Sequence, residues 1–139
     1  SGKITVPEKI DGKVIAEVSS KTFTRNSEGI TKIEFETDKE INFEKEVFSK
    51  FDVLNEVIIN SQKFEVTEGM FANSEKFSKL TFTGEITSIN DKGFYNCYNL
   101  LPFDFSNVDK IGDEAFYNCR LLKEIELKND KLEYKLTFH

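Results

Sequence analysis

Hydrophobic positions in this chain recur in a frame rather than in runs. Two segments share it in full, INDKGFYNCYNLLPFDF (Ile89 to Phe105) and IGDEAFYNCRLLKEIEL (Ile111 to Leu127). Each opens on an apolar residue, with Phe five later, Cys three after that, and apolar residues three, six and eight beyond the Cys. The frame runs back through the chain on anchor phenylalanines Phe23, Phe48, Phe71, Phe94 and Phe116, spaced 25, 23, 23 and 22 residues apart. Five residues before the anchors stand Val18, Phe43, Val66, Ile89 and Ile111. Six after them come Leu54, Phe77, Leu100 and Leu122, with Ile30 at seven because the first repeat carries one extra residue. Alternating pairs follow: Ile33/Phe35, Val57/Ile59, Leu80/Phe82, Phe103/Phe105 and Ile125/Leu127. All fourteen Phe fall on slots of this frame, including Phe51 in the Cys slot and Phe138 in a partial sixth turn.

Alternation such as Glu124-Ile125-Glu126-Leu127-Lys128 predicts a short strand with one face in and one out. A strand of that length cannot bury its apolar side alone, so neighbouring copies must stack into a continuous core. Because every copy runs the same way, the pairing is expected to be parallel. Strand centres are expected at Ile33, Ile58, Thr81, Asp104 and Glu126. The stretch around each Phe anchor is too short for an ordinary helix, and a single helical or 3₁₀ turn is expected there. Five rungs at the usual strand spacing make a body about 20–25 Å long. The whole chain, 1–139, reads as a single solenoid domain of about five repeats. The alternating finish from Leu132 to Phe138 keeps the period to the end, which points to a piece excised from a longer array, the alternative being that this stretch folds over the stack as a cap. An open strand edge at such an end would template end-to-end association of copies.

Composition narrows the function classes. Apolar residues make up 38% and charged residues 32%, a globular mixture. No run approaches the roughly 18 apolar residues of a membrane span, so direct membrane insertion is not expected. A net charge of −6, with both signs interspersed, argues against nucleic acid, which selects a basic stripe. There is no phosphate-binding Gly-rich loop, no acidic calcium loop and no HExxH. His139 is the only histidine and the last residue, which gives no Ser/His/Asp or Cys/His machinery. No cofactor and no metal are expected, and the chain reads as non-catalytic. Cys97 and Cys119 occupy one slot on adjacent repeats. A disulfide needs Cβ atoms about 3.5–4.5 Å apart, closer than ladder neighbours sit, so two free buried thiols are expected.

The repeat unit resembles leucine-rich repeats of the BspA-like (Treponema-type) class, whose motif runs apolar-Gly-x-x-Ala-Phe-x-x-Cys-x-x-Leu-x-x-Ile-x-Leu. Ile111 to Leu127 matches every named slot, and Ile89 to Phe105 nearly all. The opening Ile4 to Phe23 also resembles that family's strand-Pro-loop-Gly entry into a repeat. Repeats two and three depart, with Phe51 and Ser74 in the Cys slot. Ile41/Phe43 and Phe64/Val66 are two apart where other repeats have three, which leaves the local backbone path there open. The Asn ladder of the commoner leucine-rich repeats is absent. The resemblance implies a leucine-rich-repeat solenoid, mainly β, with one parallel sheet of five to six strands. It also implies a cell-surface or secreted setting, where such repeats are typical.

The outward strand positions then form three columns: Lys32, Glu56, Lys79, Pro102 and Glu124; Glu34, Ile58, Thr81, Asp104 and Glu126; Glu36, Asn60, Thr83, Ser106 and Lys128. Six of these fifteen are acidic and three basic, so the face is slightly negative. In repeat proteins this face commonly binds, though an ordinary solvated face would look the same in sequence. The expected role is an interaction or adhesion module for a protein or surface glycan. The alternative is a structural spacer holding another domain away from a surface. Tyr95 and Tyr117 follow their anchors directly and are expected to pair on the outer side.

Overall fold

The period-two alternation is realised where the sequence places it. The structure is a computed structural model that describes residues 2–23 and 29–122, together with the backbone of Glu133–Tyr134. In chain order the strands are β1 (Lys3–Val6), β2 (Lys9–Ile10), β3 (Lys13–Val14), β4 (Glu17–Val18), β5 (Lys32–Phe35), β6 (Asn42–Phe43), β7 (Glu56–Ile59), β8 (Lys63–Val66), β9 (Lys79–Phe82), β10 (Glu85–Ile89), β11 (Lys110–Ile111) and β12 (Glu133–Tyr134). One sheet runs β1-β5-β7-β9, all parallel. A second ladder runs β8-β10-β11-β12, also parallel, with β4 and β6 paired in the same sense. Asp11-Gly12, both at positive φ (51° and 77°), close the antiparallel β2–β3 hairpin as an Asp-Gly turn should.

The core lies between the two ladders. Register places Ile33, Val57 and Leu80 in one inward column and Phe35, Ile59 and Phe82 in the next. Phe43, Phe64, Val66, Ile86, Ile89 and Ile111 face them from the other side. The anchors stack between: Phe48–Phe71 at 5.2 Å, Phe71–Phe94 at 5.2 Å and Phe94–Phe116 at 5.5 Å between ring centroids, with interplanar angles of 24°, 6° and 14°. These separations sit just above the strand spacing, so near-parallel rings on successive rungs meet in offset stacks. The two-versus-three spacing noted in repeats two and three appears as a β-bulge. Ile86 and Ile89 of β10 pair with Phe64 and Val66 of β8, so β10 carries the extra residue.

Two expectations need correction. No strand forms around Asp104. In the preceding rungs two successive amides reach one carbonyl: Thr31 and Lys32 to Gly2 O, Asn55 and Glu56 to Thr31 O, Ser78 and Lys79 to Asn55 O. In the next rung Leu101 N donates to Ser78 O at 2.8 Å, but Pro102 stands where the second donor belongs and has no N–H. The strand centre expected at Glu126 lies outside the described residues, as does Phe138.

The turn at each Phe anchor is also not helical; no α- or 3₁₀-helix occurs among the described residues. Each full turn carries two residues at positive φ, Glu46/Lys50, Gly69/Asn73, Lys92/Asn96 and Glu114/Asn118. These reversals aim alternate amides at the next rung: Phe71 N to Gly93 O, Asn73 N to Tyr95 O, Phe94 N to Ala115 O, Asn96 N to Tyr117 O. Intervening amides close local turns, as Cys97 N does on Phe94 O at 3.1 Å. A helical turn would keep these bonds within one repeat; linked turns spend half of them on stacking.

Asparagine tolerates the left-handed conformation better than most residues. Asn73, Asn96 and Asn118 occupy it at 64°, 60° and 60°, and their side chains join in a ladder: Asn96 Nδ2 donates to Asn73 Oδ1 at 2.8 Å and Asn118 Nδ2 to Asn96 Oδ1 at 2.9 Å. This ladder lies on the convex turn and was missed in sequence, although an Asn two residues after the anchor recurs in three repeats.

The thiols behave as expected and also bond. Cys97 and Cys119 are free and buried. Cys97 Sγ donates to Phe71 O and Cys119 Sγ to Phe94 O, both at 3.1 Å, and Ser74 Oγ makes the same bond to Phe48 O. In three repeats the slot holds a small donor, which Cys and Ser share, while Phe51 fills it with a buried ring in repeat two. Burial pushes the Cys97 thiol well up and Cys119 up to about 12.

Three outcomes follow. Lys50 occupies the asparagine slot at φ 61°, so Lys50→Asn should relieve strain and extend the ladder, raising stability by about 1 kcal/mol in urea melts. A lowered midpoint would show that the ladder does not extend. Phe94→Ala should cost about 3–5 kcal/mol, while exposed Glu36→Ala should stay within about 0.5 kcal/mol; equal shifts would contradict the inward and outward assignment. Because the folded thiols titrate above the unfolded value of 9.0, unfolded chains lose their protons first, and stability should fall as pH rises from about 9 toward about 12. The Cys97→Ser, Cys119→Ser double variant should lack that share of the pH slope, and native thiols should label slowly but give two equivalents after unfolding.

Candidate binding face

The outward residues of β5, β7 and β9 lie in register, as the columns require. Lys32 pairs with Glu56 and Glu56 with Lys79; Glu34 pairs with Ile58 and Ile58 with Thr81. Asn60 and Thr83 follow β7 and β9 and continue the row begun by Glu36. Lys32, Glu34, Glu56, Ile58, Asn60 and Thr81 are half-buried, whereas Glu36, Lys79 and Thr83 are exposed. β1 adds Lys3 and Thr5 to the same face, an extension missed in sequence although Lys3-Ile4-Thr5-Val6 alternates plainly.

The face neutralises part of its own charge. Lys3 Nζ lies 3.7 Å from Glu34 Oε1 and Lys32 Nζ 3.4 Å from Glu56 Oε1, while the Thr81 hydroxyl donates to Glu56 Oε2 at 3.1 Å. Pairs this exposed add little stability, about 0–1 kcal/mol. They place paired charges and a hydroxyl on the positions flanking Ile58.

The fourth rung does not join the face. Pro102, Asp104 and Ser106 are exposed but belong to no strand. Asp104 Oδ1 accepts from Ser106 N at 2.9 Å and from its hydroxyl at 2.6 Å, and these bonds hold the Asp104 carboxyl below its usual range. The carboxylate is thus engaged by its own turn. Glu124, Glu126 and Lys128 lie outside the described residues.

Beyond Asn60 and Thr83 the chain turns a corner from the sheet toward the second ladder. An open trough of about 450 Å³ lies there, lined by Asp38, Asn60, Gln62, Thr83, Gly84 and Glu85. Asn60 Nδ2 donates to Phe35 O at 3.2 Å and the Thr83 hydroxyl to Asn60 O at 3.3 Å, which fixes two of its walls. Gly84 lets the rungs meet at the corner, since a Cβ there would come within 2.1 Å of Gln62 O and 2.3 Å of Ser61 O.

On the opposite, convex side, Tyr95 and Tyr117 stack at 4.9 Å and 12°, the expected outer pair. Lys92 lies over the Tyr95 ring at 5.3 Å and Arg120 over Tyr98 at 4.2 Å. Among the described residues no group of three or more His, Cys, Asp or Glu could hold a metal ion. What the arrangement offers is hydrogen-bonding groups and charges fixed on a stiff pleated surface.

A sequence model of the BspA type leucine rich repeat region matches residues 13–136 in six copies. The chain belongs to the BspA-type leucine-rich repeat family. Its stack of parallel strands is the solenoid that the family resemblance implied. No curated protein sequence matches the chain. Among solved structures, this BspA-type chain is similar to a leucine rich cell surface protein from Faecalibacterium prausnitzii A2-165, at 15% identity and a TM-score of 0.45. The match covers 94% of this chain and 48% of that one, so the chain spans about half of that structure's length. Among the described residues no helix is long and apolar enough to cross a membrane.

Proposed function

We propose that this BspA-type stack is a non-catalytic interaction module of a cell-surface or secreted protein, presenting the outward face of β1-β5-β7-β9 to a protein or surface-glycan partner. The observation that carries the reading is the arrangement around Ile58. A half-buried apolar side chain sits mid-face, with Glu34, Glu56, Thr81 and Asn60 around it. An apolar centre within a polar, preorganised rim is the usual anatomy of a recognition surface. The cell-surface setting rests on family membership. A structural spacer is the competing role, for which a uniformly polar face would suffice.

The test is binding of wild-type chain to a panel of extracellular proteins and glycans, with Ile58→Asp on the face and Tyr117→Ala on the convex side as variants. A ligand that loses at least tenfold in affinity with Ile58→Asp and keeps its affinity with Tyr117→Ala is the expected result. The reverse pattern, or no ligand across the panel, would favour the convex side or the spacer role.

A further inference from the structure

The corner trough is a cavity that adjoins the sheet face, and most of the groups on its walls are acceptors. One Asn60 amide N–H and the Thr83 hydroxyl proton are engaged by Phe35 O and Asn60 O. That leaves the second Asn60 amide N–H and the Gln62 amide as donors, against the Asn60 and Gln62 amide oxygens, the Thr83 oxygen and the Asp38 and Glu85 carboxylates as acceptors, with Asp38 3.8 Å from Lys39. Glu36, in the same row as Asn60 and Thr83, extends the negative side onto the sheet. Lys39, next to Asp38, is bound to Glu8 at 3.2 Å and lies 3.8 Å from Asp38, so it is already committed beside the trough; the Glu8 bond raises its pKa first. Lys63, which follows Gln62 and begins β8, does not line the cavity.

An acceptor-rich trough calls for a ligand made mostly of donors. A guanidinium carries five N–H donors in a planar fork and no acceptor, and bonds carboxylate and amide oxygens together. A sugar presents donors and acceptors in equal measure and commonly stacks on an aromatic ring, and no aromatic residue lines this cavity. A hard metal ion would seek more carboxylates than the two here.

We propose that the trough is a subsite for an arginine side chain of a protein partner lying across the sheet face. This rests on the reading of that face as the binding surface and narrows its partner to a protein segment carrying a cation. Two consequences follow from the chemistry. The opposite charge steers the segment toward the corner, and salt weakens the contact because the trough is open to solvent.

The test uses two probes of one shape, N-acetyl-arginine amide and its neutral isostere N-acetyl-citrulline amide, titrated into the isotopically labelled chain by NMR. The expected result is saturable shifts of the Asn60, Gln62, Thr83, Gly84 and Glu85 backbone signals with the arginine probe. They should weaken at least threefold in Glu85→Gln or Asp38→Asn and at high salt, and be absent with citrulline. Both side chains are exposed, so these variants keep the fold. Shifts that are absent, scattered over the surface or equal for both probes would overturn the inference. So would shifts at the trough produced by a methyl glycoside in place of arginine. The two readings fail separately: a ligand sensitive to Ile58→Asp but indifferent to Glu85→Gln would leave the face standing and remove the arginine subsite.

Discussion

Every rung in this molecule is incomplete until the next one is laid against it, and that dependence organises the rest. A four-residue strand such as β5 or β7 has too little apolar surface to hold itself, so its inward pair must meet the pair before and after it. The anchor rings do the same inside the core, where Phe48, Phe71, Phe94 and Phe116 stack in sequence. Between them the backbone repeats one solution: two amides to one carbonyl at the sheet, alternate amides to the next rung at the turn. The near-constant spacing of the anchors is the linear trace of this requirement.

How much of this was legible depended on whether the feature lives in side-chain polarity or in backbone geometry. The inward slots were readable because hydrophobicity reports burial, and the thirteen phenylalanines among the described residues marked them. The bulge in β10 was half readable: the spacing of Ile86 and Ile89 against Phe64 and Val66 revealed a mismatch but not its form. The linked turns were not readable as such. Glu46, Lys92 and Glu114 take positive φ although their side chains give no local reason to, and the turn is set by the rung-to-rung bonds it allows. Two signals for these features lie in the sequence itself. Pro102 stands at an outward strand position without the amide that position donates, and Asn73, Asn96 and Asn118 recur in a slot that is left-handed.

The candidate face was legible as a list of outward residues but not as a working surface. Register turned three columns into rows and brought Lys32 against Glu56 and Thr81 against Glu56, contacts that depend on which strands are neighbours. The trough was invisible in sequence because its walls come from three repeats and meet only at the corner that Gly84 closes. A glycine at a turn reads the same whether it closes a cavity wall or merely ends a strand.

The fourth rung shows how the two demands on a repeat, stacking inward and presenting outward, come apart. Pro102 withholds one ladder donor and Asp104 turns onto Ser106, so the segment is not held as a strand. It stays against the stack through its aromatic pair instead. Phe103 lies 5.4 Å from Phe94 and 4.5 Å from Phe105, and Phe105 lies 5.5 Å from Phe116. Aromatic packing is less directional than a backbone ladder, so it can keep the core continuous while the outward side chains lose their fixed rows. Loss of ladder geometry therefore costs this rung its place in the face before it costs the solenoid its continuity. On the described residues the laddered part of the face therefore ends at β9, and the side chains that keep fixed rows are those of β5, β7 and β9.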